Sequence, residues 1–369
     1  MRIKKVKKQT ALSQIFRERQ SAVLRMLHLE GPSSQVDVCK KLSLPKTTVN
    51  SIVQILLKKG FIVPSASASN AERIVPGAYP EPYMLNAPQI TAAGVCVRNG
   101  QLQCGIVNCA GECRSVQKET FRPQDIGKLP EIVHEYISKY CKTIHILGLG
   151  LSIGGYNAVT KSTSSLSAFG SFPLYQRLRE AVALPVIIED YPHACALSQH
   201  IFGPCKKSEN FVYLSLESAT AVCYAHGALL RGVHGFAGEI AGMTALASKI
   251  EAFPAMHYVH SITCNERTES NVFKKNFDFL AYLCIQLLTT YDPDTLILNG
   301  IPPALETLTR TRVFEEINYR LDSRNLGLQY SLEFADTSGE KHILSGAAPV
   351  FENIFYRPRR VFQETELQN

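Results

Sequence analysis

The 369-residue sequence contains no tryptophan, and no apolar run reaches the ~18–20 residues that a membrane-spanning helix requires. The N-terminus is basic, but the apolar stretch of a secretory signal does not follow it. These absences argue against a membrane-embedded or secreted protein. We therefore expect a soluble, cytoplasmic protein without a membrane partner, and the length predicts two or three domains.

The cysteine patterns typical of zinc sites are also missing. Eleven cysteines are scattered along the chain, and no two of them are spaced C-x-x-C. Cys104, Cys109 and Cys113 come nearest to a cluster, but their spacing suits zinc poorly. Several other cysteines lie inside apolar runs, so we expect reduced, mostly buried thiols and no metal site.

Acidic residues are scarce in the first sixty positions. This segment holds 13 Lys and Arg but only Glu18, Glu30 and Asp37, a balance of +10. Since the whole chain carries +7, the remaining 309 residues carry −3. The excess of positive charge on a small N-terminal module is typical of a phosphate-binding domain. The basic segment 4–8 is either a solubilising tail or an arm that contacts the DNA backbone.

Residues 33–59 have the pattern of two short helices joined by a tight turn. Ser33 or Ser34 is suited to cap the first helix, and Pro45 suits the first position of the second. The second helix carries one apolar stripe, formed by Val49, Ile52, Val53, Leu56 and Leu57. Its other face is polar, as in a recognition helix that enters the major groove of DNA. The alternative is an ordinary amphipathic hairpin with a solvated face.

Short polar side chains near the start of a recognition helix approach base edges, and lysines attract phosphates. On this basis the residues expected to contact DNA are Lys40, Lys46, Thr47, Thr48, Asn50 and Ser51.

The segments around this motif predict a winged helix-turn-helix. A first helix is expected over 12–29, and wing strands over 60–63 and 83–85 enclose a tip at 65–69. A plain linker is the alternative to the wing, because prolines and glycines are frequent over 76–82. The predicted domains are a winged helix-turn-helix (1–75), a linker (76–88) and a body (89–369). The body is expected to have two lobes: the first covers about 89–195 and includes the C-terminal helix, and the second covers about 196–345.

The body alternates apolar strand patterns with helical ones, which predicts an α/β fold with helices covering mixed sheets. Strands are expected at 94–97, 102–107, 144–153, 185–188, 211–216, 219–225 and 295–298. Helices are expected at 129–141, 174–183, 277–291 and 346–355.

Three segments carry a resemblance to a known family: GLGLSIGG (148–155), PVIIEDYPHACALSQHIFG (185–203) and HGALLRGVHGFAGEIAGM (226–243). Together with the N-terminal module, they resemble the ROK family of sugar-responsive repressors and sugar kinases. The resemblance implies a winged helix-turn-helix followed by a two-lobed body of the actin/hexokinase type.

Several family features are replaced in this sequence. The Asp that acts as catalytic base in the kinases falls on Tyr191, and a tyrosine hydroxyl is a poor base at neutral pH. Asp190 lies one residue out of register, and neighbouring residues on a strand point to opposite sides. The resemblance therefore implies no catalytic residue here, and the expected protein is not an enzyme.

The nucleotide and zinc segments of the family are altered too. The first phosphate loop reads Cys96-Val97-Arg98-Asn99-Gly100, and the second, residues 217–223, has lost its glycines and begins with Glu217. The position of the zinc-binding His in the family holds Gly242 here, and residues 244–260 contain no cysteine. His257 and His260 lie in that segment, and we interpret them as ordinary surface or interface histidines. No ATP, metal or other cofactor is expected.

In the sugar site, Glu239 matches the family Glu that bonds sugar hydroxyls, His193 replaces an Asn, and Asp190 is a further candidate ligand contact. The alternative role of Glu239 is to satisfy backbone N–H groups at a helix start. The expected function is a dimeric repressor, or dimer of dimers, that binds operator DNA and senses a sugar or sugar derivative. A sugar kinase with a DNA-binding appendage and a scaffold regulator controlled by a protein partner are the alternatives.

Overall fold

The computed structural model describes residues 2–65, 81–163, 169–240, 271–301, 303–322, 331–336 and 339–357. The predicted wing tip beyond Ser65, most of the predicted linker, and His257 and His260 lie outside these residues. By their internal contacts the residues form two units. Unit 1 comprises Met1–Ile153, Thr163–Glu189 and Ile343–Asn369, and unit 2 comprises Gly154–Ser162 and Asp190–His342.

The N-terminal part of unit 1 contains three helices and a small sheet. The helices are α1 (Arg2–Glu30), α2 (Gln35–Leu42) and α3 (Lys46–Lys58), and the strands are β1 (Ser33–Ser34), β2 (Ile62–Pro64) and β3 (Pro82–Leu85). The strands pair antiparallel in the order β1-β3-β2. The prediction of three helices followed by a two-stranded wing is confirmed, with Ser33–Ser34 as an unpredicted third strand.

Apolar side chains of the three helices form the core of this module. The buried ones are Val23, Leu24, Met26, Leu27, Val38, Val49, Ile52, Val53 and Leu56. Ile15 of α1 and Val36 of α2 are also apolar, but they are exposed by 44% and 43%. The periodic pattern therefore identified the faces of the helices and overestimated how far the core extends along them.

The rest of unit 1 is built around a five-stranded mixed sheet. Its strands are β4 (Thr91–Arg98), β5 (Gln101–Asn108), β6 (Cys113–Thr120), β7 (Ile146–Ile153) and β10 (Val186–Glu189), in the order β10-β7-β4-β5-β6. β4 pairs parallel with β7 and antiparallel with β5. The helices are α4 (Leu129–Tyr140) and α5 (Leu174–Ala181). Two short strands follow β7 in the chain: β8 (Tyr156–Asn157), which belongs to unit 2, and β9 (Ser162–Thr163).

Unit 2 contains a second five-stranded sheet with the same pattern. Its strands are β11 (Phe211–Ser215), β12 (Thr220–Ala225), β13 (Ala228–Leu229), β14 (Thr295–Asn299) and β15 (Ser331–Ala335). β11 pairs antiparallel with β12 and parallel with β14, as β4 pairs with β5 and β7 in unit 1. The helices are α6 (Tyr191–Ile201), α7 (Asn271–Tyr291) and α8 (Pro303–Asp322). Two sheets of equal strand order confirm the predicted two-lobed α/β body.

The last helix, α9 (Lys341–Phe355), packs on the unit 1 sheet through glycines. A Cβ atom added to Gly346 would lie closer than 3.0 Å to backbone atoms of Val95, and one added to Gly150 would collide with the Gly346 carbonyl. The helix and the strands therefore approach to a distance that only glycine permits. In the described residues, no helix is long and apolar enough to cross a membrane.

Candidate DNA-binding surface and ligand site

The turn between α2 and α3 is fixed by caps at both ends of α2. Ser34 precedes α2, and its hydroxyl oxygen accepts the Asp37 N–H at 3.3 Å while the Asp37 carboxylate accepts the Ser34 N–H at 3.0 Å. At the other end, Ser43 takes a left-handed conformation with φ of 51°. These contacts satisfy backbone groups that helix ends otherwise leave unpaired, and they set the direction in which α3 begins.

The exposed start of α3 carries the side chains predicted to contact DNA. Lys46, Thr47, Asn50 and Ser51 are exposed, Thr48 is half-buried, and Lys40 is exposed on α2. The Ser51 hydroxyl donates a hydrogen bond to the Thr47 carbonyl oxygen at 3.0 Å, so only its lone pairs remain for a partner. Pro45 is the residue before the helix and not its first residue, since the Pro45 carbonyl accepts the Val49 N–H at 3.0 Å.

The prediction omitted two exposed residues of the same helix. Gln54 and Lys58 follow Asn50 at intervals of four residues, so the three share one face of α3. The spacing alone was sufficient to find them. The exposed face therefore extends along the whole helix and offers an amide and a second ammonium group beyond the predicted set.

Replacing Ser34 with alanine is expected to destabilise the N-terminal module by about 1 kcal/mol, because it removes an N-cap. Two hydrogen bonds from Ser34 lower the pKa of Asp37 below its usual 3.8. The bond from the hydroxyl has the larger effect, and the bond from the backbone N–H has the smaller one. A lowered carboxyl pKa contributes stability above the unfolded pKa, and that stability is lost as the pH falls below it. As the pH falls through the acid range, the free energy of unfolding measured with urea should therefore decrease less in Ser34→Ala than in the wild type. An unchanged pH dependence would contradict this role, and Ser171→Ala, at an exposed position, is the control that should leave the pH dependence unchanged.

The candidate ligand residues lie together in unit 2. Asp190 precedes α6, and its Oδ1 atom accepts the Gly155 N–H at 2.7 Å. Its Oδ2 atom lies 3.7 Å from Nδ1 of His193, an ion-pair distance that is too long for a hydrogen bond. Within the described residues, the buried Nδ1 atom of His193 has no hydrogen-bond partner. It is therefore a polar atom that a ligand is able to satisfy.

Glu239 is close enough to interact electrostatically with the same two residues. Although its side chain reaches solvent, burial raises the pKa of Glu239, the Asp190 carboxylate raises it further, and His193 acts in the opposite direction. The structure thus brings Asp190, His193 and Glu239 to one place, and their role in binding a ligand stays a prediction.

Two loops are joined next to this site. The Asn157 side chain donates to the His234 carbonyl at 2.7 Å and accepts the Val159 N–H at 2.9 Å. Gly238 has a φ of 91°, and a Cβ there would collide with the Ala221 carbonyl. The segment that carries Glu239 is therefore held against β12, where Thr220 and Glu239 form an isolated bridge.

Tyr191 does not continue a strand. We expected Asp190 and Tyr191 to point to opposite sides of one, but β10 ends at Glu189 and Tyr191 begins α6. The Tyr191 ring is 2% exposed, and its hydroxyl lies 3.1 Å from Nδ1 of His342. No local sequence pattern indicates this contact, because the two residues are 151 positions apart.

Two stretches of the chain match known domain families. Residues 16–63 match the winged helix-turn-helix DNA-binding family, and residues 94–252 match the ROK family. The chain therefore contains a segment that matches the ROK family, and ahead of it a segment that matches a winged helix-turn-helix. The ROK match contains Asp190, His193 and Glu239, and the helix-turn-helix match contains every residue predicted to contact DNA.

The chain is also similar to curated proteins. The Xylose repressor of Bacillus subtilis is 23% identical over 235 residues, which cover 61% of this chain and 60% of that protein. The Xylose repressor of Caldicellulosiruptor bescii is 26% identical over 224 residues, which cover 57% of this chain and 54% of the relative. The alignments thus span little more than half of either relative.

Two solved structures share the fold. A ROK family transcriptional regulator described as a homologue of the E. coli MLC protein superposes with a TM-score of 0.72 at 15% identity, over 95% of this chain and 99% of its own. The ROK hexokinase from Thermus thermophilus gives 0.56 at 16% identity, over 70% of this chain and 97% of its own. The predicted fold class is therefore confirmed.

The hairpin between β11 and β12 contains residues 217–223, where the resemblance to the ROK family predicted the second phosphate loop. Ala219 takes a left-handed conformation with φ of 49° and is buried. Glu217 is exposed at the tip, and the Ser218 hydroxyl bonds that of Ser215 at 2.8 Å. Side chains therefore stand at positions where glycine would let a phosphate approach the backbone.

Proposed function

We propose that this protein is a transcriptional repressor of sugar-related genes. In this proposal the winged helix-turn-helix binds operator DNA, and the ROK domain binds a sugar or sugar derivative without catalysing phosphoryl transfer. The observation that carries the proposal is the exposed polar face of α3 on a chain that also holds a ROK domain. A cytoplasmic location is part of the same proposal.

The electrostatics of the N-terminal module support DNA binding. Ten net positive charges lie within residues 1–60, and Lys40, Lys46 and Lys58 are exposed on α2 and α3. Neutralising phosphates releases counterions, so binding should weaken steeply as salt rises. A single recognition helix buries little surface, which favours a homodimer, or a dimer of dimers, on a two-fold symmetric operator.

The site in unit 2 supports sensing rather than catalysis. Asp190, His193 and Glu239 offer two carboxylates and an imidazole, which suit the hydroxyl groups of a sugar. The position of the kinase base holds Tyr191, which is buried and hydrogen-bonded to His342, so it is poorly placed to take a proton from a substrate. The relatives named xylose repressors make D-xylose the first ligand to test.

A salt titration of binding to DNA from upstream of the protein's own gene tests the proposal. The expected result is tight, salt-dependent and sequence-selective binding that D-xylose, or one member of a panel of sugars and amino sugars, weakens. No preference for the upstream DNA over random DNA would contradict the repressor function. Turnover of ATP with any of these sugars would instead favour a sugar kinase with a DNA-binding appendage.

Replacing Glu239 with alanine separates ligand sensing from a scaffold role. If Glu239 bonds the effector, the effector concentration that releases half of the DNA should rise about tenfold or more, the usual consequence of losing a charged hydrogen bond. Glu209→Ala, which removes an exposed carboxylate of the same unit, should leave it unchanged. If a protein partner regulates DNA binding and Glu239→Ala does not change that regulation, the result would favour the scaffold regulator.

A further inference from the structure

The helix α9 is shared by the two units. Lys341 and His342 belong to unit 2, and the residues from Ile343 to Phe355 belong to unit 1. Every residue from Ser345 to Phe355 is buried. Its length between His342 and Phe355 is about 20 Å, at 1.5 Å per residue. One continuous helix therefore contains residues of both units.

The first end of α9 contacts the candidate ligand site. The Nδ1 atom of His342 lies 3.1 Å from the Tyr191 hydroxyl, and the ring centroids are 6.0 Å apart. Tyr191 is adjacent to Asp190 and lies in the same helical turn as His193. A ligand that moves the start of α6 must therefore change this contact.

The other end of α9 contacts helix α1 of the DNA-binding module. The His28 ring stacks on Phe355 with centroids 4.7 Å apart and an interplanar angle of 16°. The Arg25 guanidinium lies 5.3 Å from the centre of the Tyr356 ring, a distance typical of a cation–π contact. Burial raises the pKa of Tyr356 to about 12, which keeps the phenol neutral next to Arg25.

The part of α9 that belongs to unit 1 is tightly packed. The Arg357 side chain pairs with the buried Glu352 carboxylate at 3.0 Å, and the glycine contacts of Gly346 leave no space between the helix and β4. Close-packed elements of this kind move as one body and transmit a displacement instead of absorbing it.

We propose that α9 couples the ligand site to the DNA-binding module, with Tyr191–His342 at one end and the contacts of His28 and Arg25 with Phe355 and Tyr356 at the other. This inference rests on the proposed repressor function. It names the element through which an effector alters operator affinity. His28, Arg25 and Tyr356 act here as positioning residues, since none of them belongs to the candidate ligand site or to the exposed face of α3.

Coupling between two sites is reciprocal, so DNA binding must also change the ligand site. Hydrogen–deuterium exchange of the full chain, with and without the upstream DNA, measures this without knowledge of the effector. DNA should slow exchange in α1–α3 and also change the exchange rates at residues 341–345 and 191–195. These exchange rates should change by roughly two- to thirtyfold, the usual range of coupling through packed elements.

Two matched variants test the DNA-proximal end. Tyr356→Leu removes the aromatic face under Arg25 and should abolish the change at residues 341–345 and 191–195 while DNA still protects α3. Tyr356→Phe keeps that face and should behave as the wild type. His342→Ala tests the other end without altering the buried core: the change should persist in α9 and disappear from α6.

The outcomes separate this inference from the proposed function. A wild-type chain that binds the DNA but changes only in α1–α3 would overturn the coupling role of α9 and leave the repressor function intact. A distant change that survives both Tyr356→Leu and His342→Ala would overturn it as well. If the wild-type chain does not bind the DNA, the repressor function and the coupling are both contradicted.

Discussion

Replacing Gly150 with alanine is expected to lower the free energy of unfolding by about 3 kcal/mol, near the upper end of overpacking effects. Gly150 lies in β7, between β10 and β4 of the unit 1 sheet, and faces Gly346 of α9. An added Cβ would meet the Gly346 carbonyl oxygen closer than the 3.0 Å that real Cβ atoms keep. The two nearest atoms belong to the Gly346 backbone, so rotation of a side chain does not relieve the collision.

The midpoint of urea unfolding, followed by far-UV circular dichroism, measures this effect. Tryptophan fluorescence is not an option, because the chain contains no tryptophan. Gly127→Ala is the matched control: it makes the same change in the same unit, at a position where a Cβ meets nothing within 4 Å. Gly346→Ala should resemble Gly150→Ala, since its Cβ would collide with the Val95 backbone. Equal midpoints for Gly150→Ala and Gly127→Ala would show that α9 moves away from the sheet at little cost.

The helix-turn-helix was predictable from sequence because its signals are local. The serines before α2, the proline before α3 and the apolar stripe of Val49, Ile52 and Leu56 all lie within 24 residues. The central strands of the body were predictable for a related reason, since fully buried strands are continuous apolar runs. Helix α8 was missed because Pro303–Asp322 has no clear apolar stripe, and the tertiary contacts of Val313 and Ile317 with the unit 2 core define it instead.

The candidate ligand site was predictable only in part. Asp190, His193 and Glu239 were identified by resemblance to a family motif, and the structure places them together. The contact of Tyr191 with His342 joins residues 151 positions apart, and no local pattern encodes such a pairing. The assumption that Tyr191 lies in a strand was also wrong, because a helix begins directly after Asp190 and changes the direction of the Tyr191 side chain.

Replacing Asn50 with alanine is expected to weaken binding to the preferred DNA by about 1–3 kcal/mol and to reduce discrimination against random DNA. Asn50 is exposed on the first half of α3, and an amide is able to form two hydrogen bonds to an adenine edge. The Ser51 hydroxyl is already engaged with the Thr47 carbonyl, so Ser51→Ala should have a smaller effect than Asn50→Ala.

Replacing Lys46 with alanine should have a different signature. A lysine that neutralises one phosphate contributes equally on all sequences, so Lys46→Ala should weaken binding to preferred and random DNA alike and reduce the slope of log K against log salt by about 1. Lys118→Ala removes the same charge from an exposed position on β6 and should leave the slope unchanged. Fluorescence anisotropy with labelled duplexes at several salt concentrations measures both quantities. If Asn50→Ala and Lys46→Ala reduced binding to both DNAs by the same factor, Asn50 would not read a base, and α3 would bind only the phosphate backbone.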